Sequence, residues 1–264
     1  IKAKMSGYDS YTTTFTPEGR LLQIEYAMER INKEKPTVGV LTKEGVIVGT
    51  ERKEKHKLQD GVKNSSHKID DHIFCFVSGN TADSTTLIDQ ARLFSQRFTY
   101  TYNKEAPCEQ VVKMVCEEKH FYTQFGSYRP LGVYFMYAGY DDVEGFQLYS
   151  SDPSGNYSSW KAHVTGQNAV AAYGSSGYST SINPQTILKS DYDEDMSFKD
   201  GLKLAVKVIY KAIDTHEPKG DRFEVNYITK QDGKLVQKEL DDETLNTLIE
   251  EIKKEEDEEK EKEK

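Results

Sequence analysis

Residues 16–50 read TPEGRLLQIEYAMERINKEKPTVGVLTKEGVIVGT, and the change of apolar period inside this stretch decides the fold. Thr16 offers an N-cap hydroxyl, Pro17 suits a first helical position, and Glu18 would sit at the positive end of a helix dipole, so a helix is predicted to start here. Leu21, Ile24, Met28 and Ile31 then recur at helical spacing and form one apolar face that must pack against something. Pro36 disfavours continuation, which predicts a stop near Asn32. Past it the period drops to that of a strand. Residues 38–42 and 46–50 are rich in β-branched side chains and flank Lys43-Glu44-Gly45, the pattern of a β-hairpin.

Working outward, residues 73–78 form another expected strand, ending at Gly79. A long helical pattern follows over 81–102, with Leu87, Ala91, Phe94 and Phe98 in register. A second helix starts at Pro107 and carries Val111, Val115 and Cys116. Strands are predicted again at 132–140, 146–150 and 160–165, the last after the turn-forming Asp152-Pro153-Ser154-Gly155. Gln167 to Tyr173 can begin a helix. Gly174-Ser175-Ser176-Gly177 suggests a surface insertion over 174–187. Leu202, Ala205, Val206, Ile209 and Ile213 share a further helical face, and strands at 223–229 and 235–240 close a hairpin around Gln231-Asp232-Gly233 before a terminal helix. Strands grouped between pairs of helices, without strict alternation, favour antiparallel sheets with helices layered outside them. The expected fold class is α+β, a four-layer αββα sandwich.

The chain has 264 residues, of which 36% are hydrophobic, enough for one substantial core. It divides into a polar arm over 1–15, a domain over 16–250 and a charged tail over 251–264. A net charge of −9 argues against a phosphate-binding surface, so no nucleic-acid partner is expected. No apolar run has the length of a spanning helix, and residues 1–14 lack a secretory apolar stretch, so no membrane partner is expected. Cys75, Cys108 and Cys116 contain no CxxC pair and should be reduced thiols packed as small hydrophobes, which fits a protein of the cytoplasm and nucleus.

No self-contained active site is visible. Asp191, Asp193 and Asp195 imitate the opening of a calcium loop, but Met196 and Leu202 stand at its glycine and glutamate positions, leaving a solvated acidic loop. The histidines have no HExxH or paired-cysteine company, so no metal is expected. Neither a GxSxG elbow nor a phosphate-binding loop occurs, and no cofactor is expected. Residues 253–264 are all charged, which suggests a frayed, solvated end with no apolar face to dock it.

Residues 8–10 (Tyr-Asp-Ser) with 16–29, from Thr16-Pro17-Glu18-Gly19-Arg20 to Ala27-Met28-Glu29, closely resemble the N-terminal signature of 20S proteasome α subunits. The resemblance continues through Tyr122-Thr123-Gln124-Phe125-Gly126 and Arg129-Pro130-Leu131-Gly132. In the region Gly145-Phe146-Gln147 to Asp152-Pro153-Ser154-Gly155-Asn156-Tyr157 it is nearest to the α type-4 branch, which takes the third α position. The fold it implies is the N-terminal-nucleophile (Ntn) hydrolase sandwich, in agreement with the pattern of elements.

Catalytic members of that fold attack with an N-terminal threonine whose free α-amine assists proton transfer. Aligning Val38-Gly39-Val40 with their first strand puts Lys35 at the nucleophile position, with neither hydroxyl nor free amine. Thus no catalytic residue is assigned. The resemblance implies a non-catalytic member of a heptameric α ring, in contact with other α subunits, β-ring subunits and a regulatory particle or other activators, in ATP- and ubiquitin-dependent degradation. The alternative is an active Ntn-type threonine peptidase, which would need an exposed N-terminal nucleophile. Tyr8, Asp9, Pro17 and Tyr26 match family positions that brace the arms of an open gate; two phenols and a carboxylate can exchange hydrogen bonds, and the proline fixes a turn. The activator pocket of the family departs here: Glu34-Lys35-Pro36 replaces a small residue, and the lysine segment is contracted to Ser65-Ser66-His67-Lys68-Ile69, leaving Lys68 or Ser65 at the lysine position.

Overall fold

The structure is a computed structural model that describes residues 7–52, 58, 64–167, 184–213 and 218–262, the last seven of these by their backbone alone. Helix α1 (Leu22–Ile31) leads into strands β1 (Thr37–Thr42), β2 (Gly45–Glu51), β3 (Ser66–Asp70) and β4 (Ile73–Gly79). Helices α2 (Thr81–Tyr102) and α3 (Cys108–Gln124) follow, then β5 (Val133–Asp141), β6 (Gly145–Ser151), β7 (Tyr157–Ser159) and β8 (Ala162–Thr165). The chain ends with α4 (Pro184–Asp191), α5 (Phe198–Ala212), β9 (Phe223–Gln231), β10 (Lys234–Glu239) and α6 (Asp242–Lys262). Two antiparallel five-stranded sheets result, in the orders β10-β9-β2-β1-β8 and β3-β4-β5-β6-β7.

The four layers follow from alternation along the strands. Val46 and Val48 of β2, Phe74 and Phe76 of β4, and Met136 and Ala138 of β5 meet between the sheets. Their neighbours point the other way: Ile47 joins α4, α5 and α6, whereas Cys75, Phe135 and Tyr137 join α2 and α3. Successive side chains of a strand face opposite sides, so strands buried on both faces are continuously apolar. Hence the sandwich expected from the order of elements is the one observed.

Four local expectations change. Residues Thr16–Gly19 form a tight turn, with Gly19 N–H donating to the Thr16 carbonyl at 2.8 Å, and α1 starts only at Leu22. Gly19 has φ +78°, a left-handed conformation that ends a turn and cannot sit inside a helix. The strand expected at 160–165 starts only at Ala162 as β8, which pairs with β1; an unexpected short strand before it, β7, pairs with β6, and Trp160 and Lys161 carry the chain from one sheet to the other. Trp160 lies flat on His163 at 4.1 Å and its indole N–H donates to Ser150 Oγ, which fixes the crossover. Burial pushes the His163 imidazole down to about 4. The end of the expected 174–187 insertion is core, because Pro184, Ile187 and Leu188 of α4 are buried; the helix expected at 167–173 and the glycine-serine run lie outside the described residues apart from Gln167. Finally, α6 stays helical to Lys262, and its apolar face of Leu245, Leu248, Ile249 and Ile252 carries the packed part past residue 250.

The three cysteines are free and buried. Among the described residues no group of three His, Cys, Asp or Glu side chains could hold a metal, and no helix is long and apolar enough to cross a membrane.

Candidate functional site

The start of β1 is where a sandwich of this kind would carry its nucleophile. Here the chain runs on through Glu34, Lys35 and Pro36 into α1 without a free amine. Thr50 Oγ1 donates to the Pro36 carbonyl at 2.8 Å and accepts from Thr37 Oγ1 at 3.2 Å, so both hydroxyls are consumed in buried contacts. The backbone of residues 166–167 rests on this point. Gln167 N–H donates to the Glu34 carbonyl at 2.6 Å, and a Cβ on Gly166 would lie 2.4 Å from the Lys35 carbonyl oxygen. Glu51, at the end of β2, forms an ion pair with Arg222 at 2.6 Å. Gly49-Thr50, the one Gly-Thr pair, is sealed: Thr50 has no exposed surface, and Gly49 packs on Ile209 and Val225.

Lys35 reaches across to the side-chain oxygen of Ser65, donating to it. Ser65 is fixed from behind, because Glu224, on β9 and fully buried, accepts from Ser65 N–H at 2.8 Å and from Ser66 N–H at 2.8 Å. A carboxylate gripped by consecutive backbone donors is a strong anchor. Glu34 is buried next to this pair and bonds to Arg30 one turn back in α1. Lys68 is not part of the cluster. It belongs to β3, opposite Phe74, and its exposed side chain pairs with Asp71 at 2.5 Å, which holds that carboxyl below its ordinary range. Of Glu34, Ser65 and Lys68, the residues expected at the pocket, Ser65 accepts from Lys35, Glu34 adjoins Lys35 in the chain, and Lys68 lies on the outer edge.

The arm residues meet α1. Tyr26 Oη donates to Asp9 Oδ2 at 3.4 Å; burial and the Asp9 carboxylate push the phenol above its ordinary value. Tyr8 and Tyr26 are 45% and 47% exposed, and Pro17 sits in the exposed Thr16–Gly19 turn. Thus the structure joins Asp9 and Tyr26 directly and presents Tyr8 and Pro17 at the surface.

Gln23 and Glu224 were not singled out by the sequence pattern. Gln23 Nε2 donates to the Asp9 carbonyl, a contact across 14 positions that no local pattern signals. Glu224 gave no signal either: in a strand its apolar neighbours Phe223 and Val225 face the opposite side, so the pattern reads as a solvent-facing carboxylate.

Comparison with known proteins agrees with this geometry. Residues 31–228 match the family described as Proteasome subunit, and residues 8–29 match the N-terminal signature of A-type proteasome subunits. The chain is 44% identical over 233 residues to "Proteasome subunit alpha type-4" of Dictyostelium discoideum, covering 87% of this chain and 88% of the relative. It is 42% identical over 245 residues to "Proteasome subunit alpha type-4" of Spinacia oleracea, covering 92% and 93%. The "Probable proteasome subunit alpha type-3" of Schizosaccharomyces pombe is 41% identical over 229 residues, covering 86% and 88%.

Proposed function

Because the chain belongs to the proteasome subunit family, and to its α type by the N-terminal signature, we propose that it is a non-catalytic member of the α ring that helps to gate the proteolytic core. One observation carries the non-catalytic part: the start of β1 holds Lys35, bonded to Ser65 within a continuous chain, in place of a terminal nucleophile. Nucleophilic catalysis of the Ntn kind requires a free α-amine beside a hydroxyl or thiol. Neither is present at Lys35.

In this role the protein contacts neighbouring α subunits and the β ring, and the assembled particle works in ATP- and ubiquitin-dependent degradation in the cytoplasm and nucleus. Gating is supported by the outward-facing Tyr8, Pro17 and Tyr26 and by the Asp9–Tyr26 bond, which leave two phenols and a turn available to a neighbour in the ring. Docking of an activator's carboxylate tail is supported by a cation beside Ser65, and that cation is Lys35 rather than Lys68.

The test uses core particles reconstituted with Tyr8→Ala or Asp9→Ala. Assembly is expected to be intact while the ratio of activator-stimulated to basal peptide hydrolysis changes. Rings that open normally would overturn the gating reading. A peptide electrophile that labels terminal threonines is expected to label β subunits and leave this chain unmodified; labelling at this chain would overturn the non-catalytic reading.

A further inference from the structure

We infer that Thr12 and Gln23 clamp the N-terminal arm at two points, fixing the path of residues 9–12 over the body of the protein. The inference rests on the gating reading above and adds positioning residues to it.

Thr12 is 4% exposed although its neighbour Tyr11 is 63% exposed and Thr13 also faces solvent. A small polar side chain buried in an otherwise exposed segment needs a reason, because its hydroxyl must be paired. Its Oγ1 donates to the Tyr128 carbonyl at 3.3 Å, in the loop that follows α3. The second point is Gln23 of α1, whose amide donates to the Asp9 carbonyl. Both bonds are side chain to main chain. They fix the path of the arm without using the side chains of Tyr8, Asp9 or Tyr26, which are left for one another and for other groups.

Each anchor stands on a rigid base. The loop carrying Tyr128 is held by packed rings, with Phe121 and Phe125 tilted at centroids 4.4 Å apart and Tyr122 and Tyr128 edge to face at 5.2 Å. It is then pinned to α2 by Arg129, which makes paired bonds to Asp83 at 2.6 and 2.8 Å. At the other anchor, α1 ends on the fully buried Ile31. A flexible arm tied at two points to fixed elements loses the conformations that would let it swing from Thr12 onward.

Amide hydrogen exchange on the full chain tests the clamp. Thr12→Val and Gln23→Leu are each expected to raise exchange at residues 8–14 about three- to tenfold, the loss of one ordinary hydrogen bond, with residues 22–31 unchanged and Thr12→Ser restoring the wild-type pattern. Core particles carrying Thr12→Val are expected to show a smaller ratio of activator-stimulated to basal peptide hydrolysis. Unchanged exchange in both variants, or raised exchange with an unchanged ratio in particles where Tyr8→Ala does change it, would overturn the clamp and leave the gating reading standing. If no arm variant, Tyr8→Ala included, alters the ratio, the gating reading itself fails.

Discussion

Lys119 Nζ lies 2.8 Å from Ser151 Oγ with no surface exposed, and its other acceptors are the main-chain carbonyls of Val133 and Ser151, both at 3.2 Å. The Phe135 ring is 4.6 Å away, so the ammonium of α3 is held by neutral groups at the ends of β5 and β6. Burial pushes it down to about 8 from an ordinary 10.5. A base whose folded pKa is depressed costs stability while it is charged. That cost is complete below about pH 8 and disappears as the pH rises to 10.5, where the unfolded chain also loses its proton. The shift corresponds to roughly 3 kcal/mol. The Cys75 and Cys116 thiols, which burial pushes up to about 12 and about 11, act in the opposite sense at high pH. Lys119→Met keeps those thiols and removes only the lysine's charge and its attraction to them, so the difference between the two proteins reports chiefly the lysine. Urea unfolding from pH 7 to 10.5 should show wild type gaining on Lys119→Met by a few kcal/mol; parallel curves would refute the assignment.

The buried Glu224 carboxylate makes the next prediction. Glu224→Gln preserves shape but offers one acceptor oxygen to the N–H groups of Ser65 and Ser66 in place of two. The expected cost is about 1–3 kcal/mol, the range for an unsatisfied buried donor. Exchange at the Ser65 and Ser66 amides should rise more than exchange in β4, since the damage is local to the end of β3. Equal protection in both places would mean that the carboxylate does not hold Ser65.

What the sequence made legible depended on how local each cause was. The β1–β2 hairpin and α2 follow from β-branched runs, a turn glycine and apolar spacing, and all of these act within a few residues. The start of α1 did not follow, because Thr16-Pro17-Glu18 is a good helix opening and equally a good turn; Gly19 at φ +78° decides for the turn. The separate strand β7 and the crossover at Trp160 were hidden because pairing with β6 on one side and β1 on the other is settled by tertiary partners. The residues expected to brace the gate came from resemblance, and the structure adds a contact from Gln23, whose bond to Asp9 spans 14 positions. Lys35 was visible as a missing nucleophile, whereas its bond to Ser65 depends on a fold that brings residues 30 positions apart together.

Gly166 is the place where the loop after β8 meets the start of β1. Its φ of +99° suits glycine, and a Cβ would lie 2.4 Å from the Lys35 carbonyl oxygen and 2.9 Å from that of Glu34. Both obstacles are backbone atoms and cannot move aside as a side-chain tip can. Gly166→Ala should therefore cost about 1–3 kcal/mol from the strained backbone alone, with the clash adding to it. Thermal unfolding would check the size of the loss, and a wild-type midpoint would exclude the close approach.

Asp83 and Arg129 supply the last prediction, because their pairing fixes the loop on which Thr12 rests. The guanidinium donates to both carboxylate oxygens, and Gly132 N–H adds a third bond at 3.1 Å, so the Asp83 carboxyl is held below its ordinary 3.8, chiefly by Arg129. For a depressed acid the stabilisation is present above the ordinary value and is lost as pH falls below it, when protonation removes the charge in the folded state too. Asp83→Asn should thus destabilise the protein at about pH 7 by about 1–2 kcal/mol, modest because Arg129 is largely in solvent. As the pH falls below 3.8 the difference between Asp83→Asn and wild type should shrink. The same substitution should raise amide exchange at residues 126–132 at neutral pH, and with it exchange at Thr12, since the arm's anchor rides on that loop. A loss at neutral pH that persists undiminished in acid would show that Asp83 acts by shape and not by charge.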